Sequence, residues 1–194
     1  MKVYGAALFQ SIVNLNMPPQ QAGFRTVRLE ELSHNSSNEA LLGARELLLE
    51  YGRFVIAQPG AARFCFGSLE KEAARLPLSY GEQAGGCLMA FVDETPTGFV
   101  AWQTLAPSSQ VVADAWEMKR LWVRPFGRGL GLGRALTEAV LDRAIAAKRK
   151  AVYLDTAPAS MASAYRMYLA MGFTPCAPYN DNPVEGLAYL VKFV

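Results

Sequence analysis

Apolar and polar positions along the chain mark out a succession of short elements. Phe24 to Leu29 alternates apolar with polar residues, which predicts a first strand. Polar Asn35-Ser36-Ser37-Asn38 offers caps for a helix running to about Tyr51, with Leu41, Ala44, Leu48 and Tyr51 on one face. A second helix is expected from Ser68 to Leu76, stopped by Pro77, with a loop at Gly81–Gly86. Cys87–Val92 and Phe99–Leu105 are apolar runs joined by Asp93-Glu94-Thr95-Pro96-Thr97-Gly98, a hairpin with a slightly long turn. Trp116–Val123 is the next strand and ends before Pro125. Further on, Leu132, Leu136, Ala139, Val140, Ala144 and Ala147 share one helical face, while Glu138, Asp142 and Arg143 point away. Ala151–Leu154 reads as a buried strand, Ser160 as the N-cap of another helix, and Gly172 as the residue just past that helix. Phe173–Cys176 and Leu187–Phe193 close the chain as two strands around the loop Pro178–Gly186. The order predicts an α/β (α+β) architecture, a mixed sheet of about seven strands with helices on both faces.

Composition narrows the class. At 194 residues and 52% hydrophobic, the chain can bury one substantial core. Residues 24–194 read as that domain. Residues 1–23 read as an extension ending in the linker Pro18-Pro19-Gln20-Gln21. Lys2 followed by Val3–Phe9 starts like a signal peptide, but Gln10 and Ser11 interrupt it and no small-residue cleavage site follows. Nineteen basic and 17 acidic residues leave a net charge of +2, too balanced for a nucleic-acid or membrane-surface binder. Lys148-Arg149-Lys150 suits the negative end of a helix. No run reaches the length of a membrane span. His34 is the single histidine, so no histidine-rich metal site and no metal is expected. Cys65, Cys87 and Cys176 are an odd number in apolar settings without a CxxC, which points to buried free thiols and a reducing, cytoplasmic location.

The densest chemical signal is Arg128-Gly129-Leu130-Gly131-Leu132-Gly133-Arg134, between a strand and a helix. Glycines leave the backbone bare to a ligand, and a helix start adds unpaired N–H groups and a positive dipole end. With an arginine on each side, this suits a phosphate-bearing anion. A P-loop would need GxxxxGK[ST], and no lysine followed by Ser or Thr is present. A dinucleotide fingerprint would need a glycine where Arg134 stands, although Asp155 at the next strand's end mimics a ribose-binding acid. A plain flexible turn leaves the flanking arginines without a reason.

Arg128–Gly133 also matches [QR]xxGx[GA], and Ala164–Phe173 matches AxxxYxxxGF on a helix leading into a strand. With Val123-Arg124-Pro125 ahead of the loop, the stretch from about Phe24 to Val194 resembles the GNAT superfamily of acetyl-CoA-dependent N-acetyltransferases. The resemblance implies coenzyme A pyrophosphate on the backbone of Arg128, Gly129, Leu130, Gly131, Leu132, Gly133 and Arg134. It implies the pantetheine arm along Leu121, Trp122 and Val123, with Ser160 and Ala164 beside it. Tyr168 matches the family tyrosine that protonates the departing thiolate, and a phenol is protonated at neutral pH. Glu117 stands where some members carry a catalytic glutamate that deprotonates the amine; a strand residue paired with Lys119 is the plain alternative. One departure is Met161, where many members carry an asparagine that contacts the pantetheine. The loop Pro178–Gly186, with two acids, a tyrosine and two asparagines, suits a cationic amine acceptor, small or peptide, and equally suits an ordinary turn. Acetyl transfer to a primary amine, by a monomer or homodimer, is therefore expected. A non-catalytic acyl-CoA-binding regulatory module, for which Met161 speaks, and a dinucleotide-binding protein, resting on Asp155, are the alternatives.

Overall fold

The computed structural model describes residues 11–12, 25–58, 66–81, 84–182 and 184–194. The strands are β1 (Ser11–Ile12), β2 (Val27–Glu31), β3 (Gly86–Val92), β4 (Thr95–Leu105), β5 (Ala115–Val123), β6 (Ala151–Thr156), β7 (Thr174–Pro175) and β8 (Ala188–Phe193). The α-helices are α1 (Asn38–Ile56), α2 (Phe66–Ala74), α3 (Leu78–Gly81), α4 (Leu132–Ala146) and α5 (Ala162–Ala170). One sheet of order β1-β2-β3-β4-β5-β6-β8-β7 holds them together. It is mixed, because β5 and β6 run parallel while their neighbours are antiparallel. This is the mixed, helix-flanked sheet the periodicity predicts. The eighth strand comes from Ser11–Ile12, which pairs with Leu29 and Arg28 of β2.

Strand β3 shows why the apolar runs are continuous rather than alternating. Cys87, Met89 and Phe91 pack with Ala44, Leu47 and Leu48 of α1 and with Leu69 of α2. Leu88, Ala90 and Val92 pack with Leu132, Leu136 and Val140 of α4 on the opposite face. A strand covered on both faces needs apolar side chains at every position. Each fully buried leucine is worth roughly 1.5–3 kcal/mol.

Several boundaries differ from expectation for local reasons. The side chain of Ser37 caps α1 by accepting from Ala40 N–H, and the helix runs five residues past Tyr51 to Ile56. The β3–β4 turn is two residues, Asp93 and Glu94, both left-handed at φ 47° and 62°. That is the tight hairpin geometry, without the glycine that would have announced it. A bulge at Ala90/Phe91 absorbs the slip in register. Ala147 caps the end of α4 and is exposed, whereas Ala135 and Leu141 join the buried face. Ser160 does not cap α5: Met161 stands at the N-cap, with no side-chain capping bond. The second helix, expected over 68–76, spans Phe66–Ala74 and is followed by the unexpected short α3. Cys87 is buried and Cys176 half-buried, both free; Phe24 and Cys65 lie outside the described residues. No described helix is long and apolar enough to cross a membrane.

Candidate active site

The site begins where the sheet comes apart. Strands β5 and β6 pair over three positions, from Ala115↔Ala151 to Glu117↔Tyr153. Beyond Glu117 they diverge, and β5 continues to Val123 with no β6 partner. On its other edge β5 carries a bulge: Ala101 faces Lys119 and Phe99 faces Trp122, so Arg120 and Leu121 together oppose Val100. Arg120 sits at φ 61°, a strained conformation for a side chain of its size. It is held there from two helices. Its guanidinium makes two 3.1 Å bonds to both carboxylate oxygens of Glu72 on α2, and lies 5.8 Å from the Tyr51 ring of α1. Burial works against the Arg120 charge, but Tyr51 and Glu72 outweigh it and push its pKa upward.

At the far end of β5 the chain makes a short 3-10 turn, Pro125–Gly127, and enters the glycine loop. Gly127 is buried against Thr97 and Leu132, with no room for a side chain. Gly129 and Gly131 take φ 80° and 77°, and Gly131 forms the N-cap of α4. No N–H from Gly129 through Arg134 donates to a described residue. Six peptide donors without a partner among the described residues, at the positive end of a 15-residue helix, could hold an anion. Gly133 lies within the first turn of α4, where a Cβ would make only ordinary contact with the Met167 sulfur at 3.5 Å. Leu130 packs its side chain on the core and offers the loop only its backbone.

A cleft of about 720 Å³ runs from this loop along β5. It is lined by Leu121, Trp122 and Val123 on one side, and by Ser160, Met161 and Ala164 on the other. Trp122 is fixed by its indole N–H to Glu50 (3.1 Å) and by the Phe54 ring at 5.2 Å. Arg124, bonded to Glu50, Glu46 and the Pro96 carbonyl, ties the end of β5 to α1. Arg128 donates to the Val123 carbonyl and lies 5.0 Å from the Trp122 ring, while Arg134 is exposed and weakly paired with Glu138. An elongated molecule with a diphosphate at one end fits a cleft with free donors at the loop and apolar walls beyond it.

A second cleft, about 390 Å³, meets the first at Leu121, Met161 and Ala164. Tyr51, Glu117, Arg120, Asp155, Tyr168, Asn180 and Asp181 line it. Tyr168 reaches it from the last turn of α5, which closes in a Schellman motif: Phe173 N–H bonds the Tyr168 carbonyl and Gly172 N–H the Leu169 carbonyl. Gly172 supplies the required left-handed residue at φ 84°, and the Phe173 ring meets the Tyr168 ring edge-on at 5.6 Å. Burial pushes the Tyr168 pKa up, with Tyr51 and Asp155 adding to it, so its hydroxyl stays a donor across the neutral range.

Glu117 lies on the floor of this cleft, 6% exposed. One oxygen accepts from Gln103 (2.9 Å) and Lys119 (3.0 Å), the other from Tyr179 (3.3 Å) and Asn180 (3.2 Å). A carboxylate offers about four lone-pair sites, and these contacts occupy all of them. Asp155, weighed from the sequence as a ribose-binding acid, lines this cleft and not the glycine-loop cleft. Its Oδ2 accepts from Asn180 (3.0 Å) and Asn182 (3.1 Å). The 178–186 loop is thereby stitched to β5 and β6 by two carboxylates.

Residues 56–173 match the model of the acetyltransferase (GNAT) family. The chain belongs to the GNAT family. An uncharacterized N-acetyltransferase of Schizosaccharomyces pombe is 31% identical over 126 residues, spanning 64% of this chain and 74% of that protein. Among solved structures, an acetyltransferase of Streptococcus agalactiae superposes with TM-score 0.65 at 18% identity, over 87% of this chain and 98% of its own. The PaiA N-acetyltransferase of Thermoplasma acidophilum, solved in complex with coenzyme A, superposes with TM-score 0.59 at 17% identity, over 87% and 99%. These structures share the GNAT fold with this chain. As a GNAT protein it is an N-acetyltransferase, and the family draws its acetyl group from acetyl-CoA.

Within the GNAT fold, the structure brings Leu121, Trp122, Val123, Arg128, Gly129, Gly131, Leu132, Gly133, Arg134, Ser160 and Ala164 to one cleft, which Leu130 does not line, and Glu117 and Tyr168 to the other. Sequence reasoning missed Tyr51, Glu72 and the placement of Asp155 in the second cleft. Tyr51 falls on the apolar stripe of α1 and reads as core. Asp155 carried a usable signal, a lone carboxylate at the C-terminal end of a buried strand.

Proposed function

We propose that this protein transfers the acetyl group of acetyl-CoA by direct attack of a primary amine whose neighbourhood carries no carboxylate. The observation that carries the reading is the junction of the two clefts at Leu121, Met161 and Ala164, with free peptide donors at one end and Tyr168 at the other. The N–H groups of Gly129 to Arg134 would hold the pyrophosphate, with Arg128 and Arg134 adding charge. Leu121, Trp122 and Val123 would line the pantetheine arm, and unpaired β5 backbone N–H groups past the bulge would stabilise the thioester oxyanion. Tyr168 donates its proton toward the sulfur as negative charge develops there. Met161 replaces a polar contact with an apolar one, which leaves the backbone contacts intact.

Charge in the second cleft supports the acceptor class. Lys119 is spent on Glu117 and Arg120 on Glu72. Asp155 and Asp181 keep no cationic partner among the described residues. A cationic amine is welcomed there, whereas the carboxylate of a free amino acid would meet no unpaired cation. Thiol release from acetyl-CoA is therefore expected with alkylamines, diamines or uncharged peptide N-termini, and to be at least tenfold slower with free glycine or glutamate. A preference for free amino acids would remove this acceptor class. Thiol release at background across the whole panel would instead favour a binding module.

A further inference from the structure

We propose that Asp155 is the carboxylate that receives the acceptor's ammonium and takes its proton before the nitrogen attacks. The inference rests on the acetyl-transfer reading above and names its proton acceptor. Glu117, the residue the family resemblance suggests for that task, already accepts four hydrogen bonds and must lose one to receive a proton. Asp155 differs in one respect. Both amide donors bond Oδ2, and no described residue donates to Oδ1. The carboxylate, on a residue that lines the cleft, is thus clamped by one oxygen and keeps the other free of donors among the described residues.

The clamp itself links the two acids. Asn180 Nδ2 donates both to Glu117 Oε1 at 3.2 Å and to Asp155 Oδ2 at 3.0 Å. Glu117 then acts as a positioning residue, fixing Asn180 and through it Asp155. The charge of Asp155 also reaches the tyrosines around it. After burial, it helps to hold the pKa values of Tyr168 on α5, Tyr51 on α1, Tyr179 and Tyr189 above their ordinary value. It lines the same cleft as Tyr51 of α1, Asn180 of the 178–186 loop and Tyr168 of α5, whose hydroxyl is assigned to the leaving sulfur.

The proton inventory closes with these two residues. Asp155 Oδ1 accepts one proton from R–NH3+, freeing the nitrogen lone pair. That pair forms the N–C bond while the carbonyl π pair moves to oxygen. When the C=O re-forms, the C–S bond breaks and its electron pair goes to sulfur, which takes the Tyr168 proton. The remaining surplus proton on nitrogen restores Tyr168, and Asp155 returns its proton to solvent. The sum is amide, thiol and one released proton.

An acceptor that arrives without a proton separates this role from a structural one. Turnover of acetyl-CoA is measured with butane-1,4-diamine, cationic at neutral pH, and with hydroxylamine, neutral there, after subtracting the uncatalysed rate. Asp155→Asn is expected to lower kcat about a hundredfold or more with the diamine. The loss with hydroxylamine should stay below about tenfold. Glu117→Gln should affect both acceptors alike, as expected of a positioning residue. An unchanged thermal shift with coenzyme A confirms that each variant is folded. Equal losses for both acceptors in Asp155→Asn, or an acceptor-selective loss in Glu117→Gln, would overturn the proposal. Wild-type protein that binds coenzyme A yet releases no thiol with either amine would overturn the transferase reading itself.

Discussion

Phenylalanine in place of Tyr168 is expected to lower kcat for acetyl transfer about a hundredfold to ten-thousandfold. Affinity for acetyl-CoA should be essentially unchanged. The substitution is a clean one because, among the described residues, none hydrogen-bonds the Tyr168 hydroxyl. The ring keeps its edge-on contact with Phe173, and the Schellman closure uses the Tyr168 backbone, which any residue supplies. What is lost is a proton in the second cleft, which meets the first at Leu121, Met161 and Ala164. Single-turnover kinetics would separate the steps: the variant should load acetyl-CoA at the wild-type rate and then stall. Turnover within threefold of wild type would reassign the donor, with Tyr51, on the same cleft, next in line.

The second large effect is expected in the loop. Gly129 has φ 80° and open space where a Cβ would go, so its constraint is backbone conformation and not packing. Asp and Asn both tolerate the left-handed region better than other side chains. Gly129→Asp and Gly129→Asn should therefore fold alike and differ in charge alone. A carboxylate about 4 Å from a phosphate is opposed by roughly 1–4 kcal/mol, according to how far water screens the pair. Calorimetric titration with coenzyme A should show the Asp variant weaker than the Asn variant by about tenfold to a thousandfold. The gap should narrow in high salt. Equal affinities would place the diphosphate elsewhere.

How far the sequence could be read follows from what each signal encodes. Strands β3 and β4 were legible because burial on both faces demands apolar side chains throughout. The end of α5 was legible through Gly172 and Phe173, whose positions a Schellman motif dictates. The turn at Asp93-Glu94 was not, since neither residue advertises a left-handed backbone. The bulge at Arg120 was hidden for the same reason, and its brace, Glu72, lies 48 residues away on another helix. The turn ahead of α4 was legible through Gly129 and Gly131, which take the positive φ that glycine permits. Glu117 and Asp155 were both visible as acids on strands. Which of them has a lone pair to spare depends on Gln103, Lys119, Tyr179, Asn180 and Asn182, a neighbourhood that only the folded chain assembles.

A crystal structure of the complex with coenzyme A tests the central claim most directly. The account predicts pyrophosphate oxygens on the N–H groups of Gly129 to Arg134, and the sulfur within hydrogen-bond reach of the Tyr168 hydroxyl. Pyrophosphate bound away from this loop, or a sulfur out of reach of Tyr168, would contradict it.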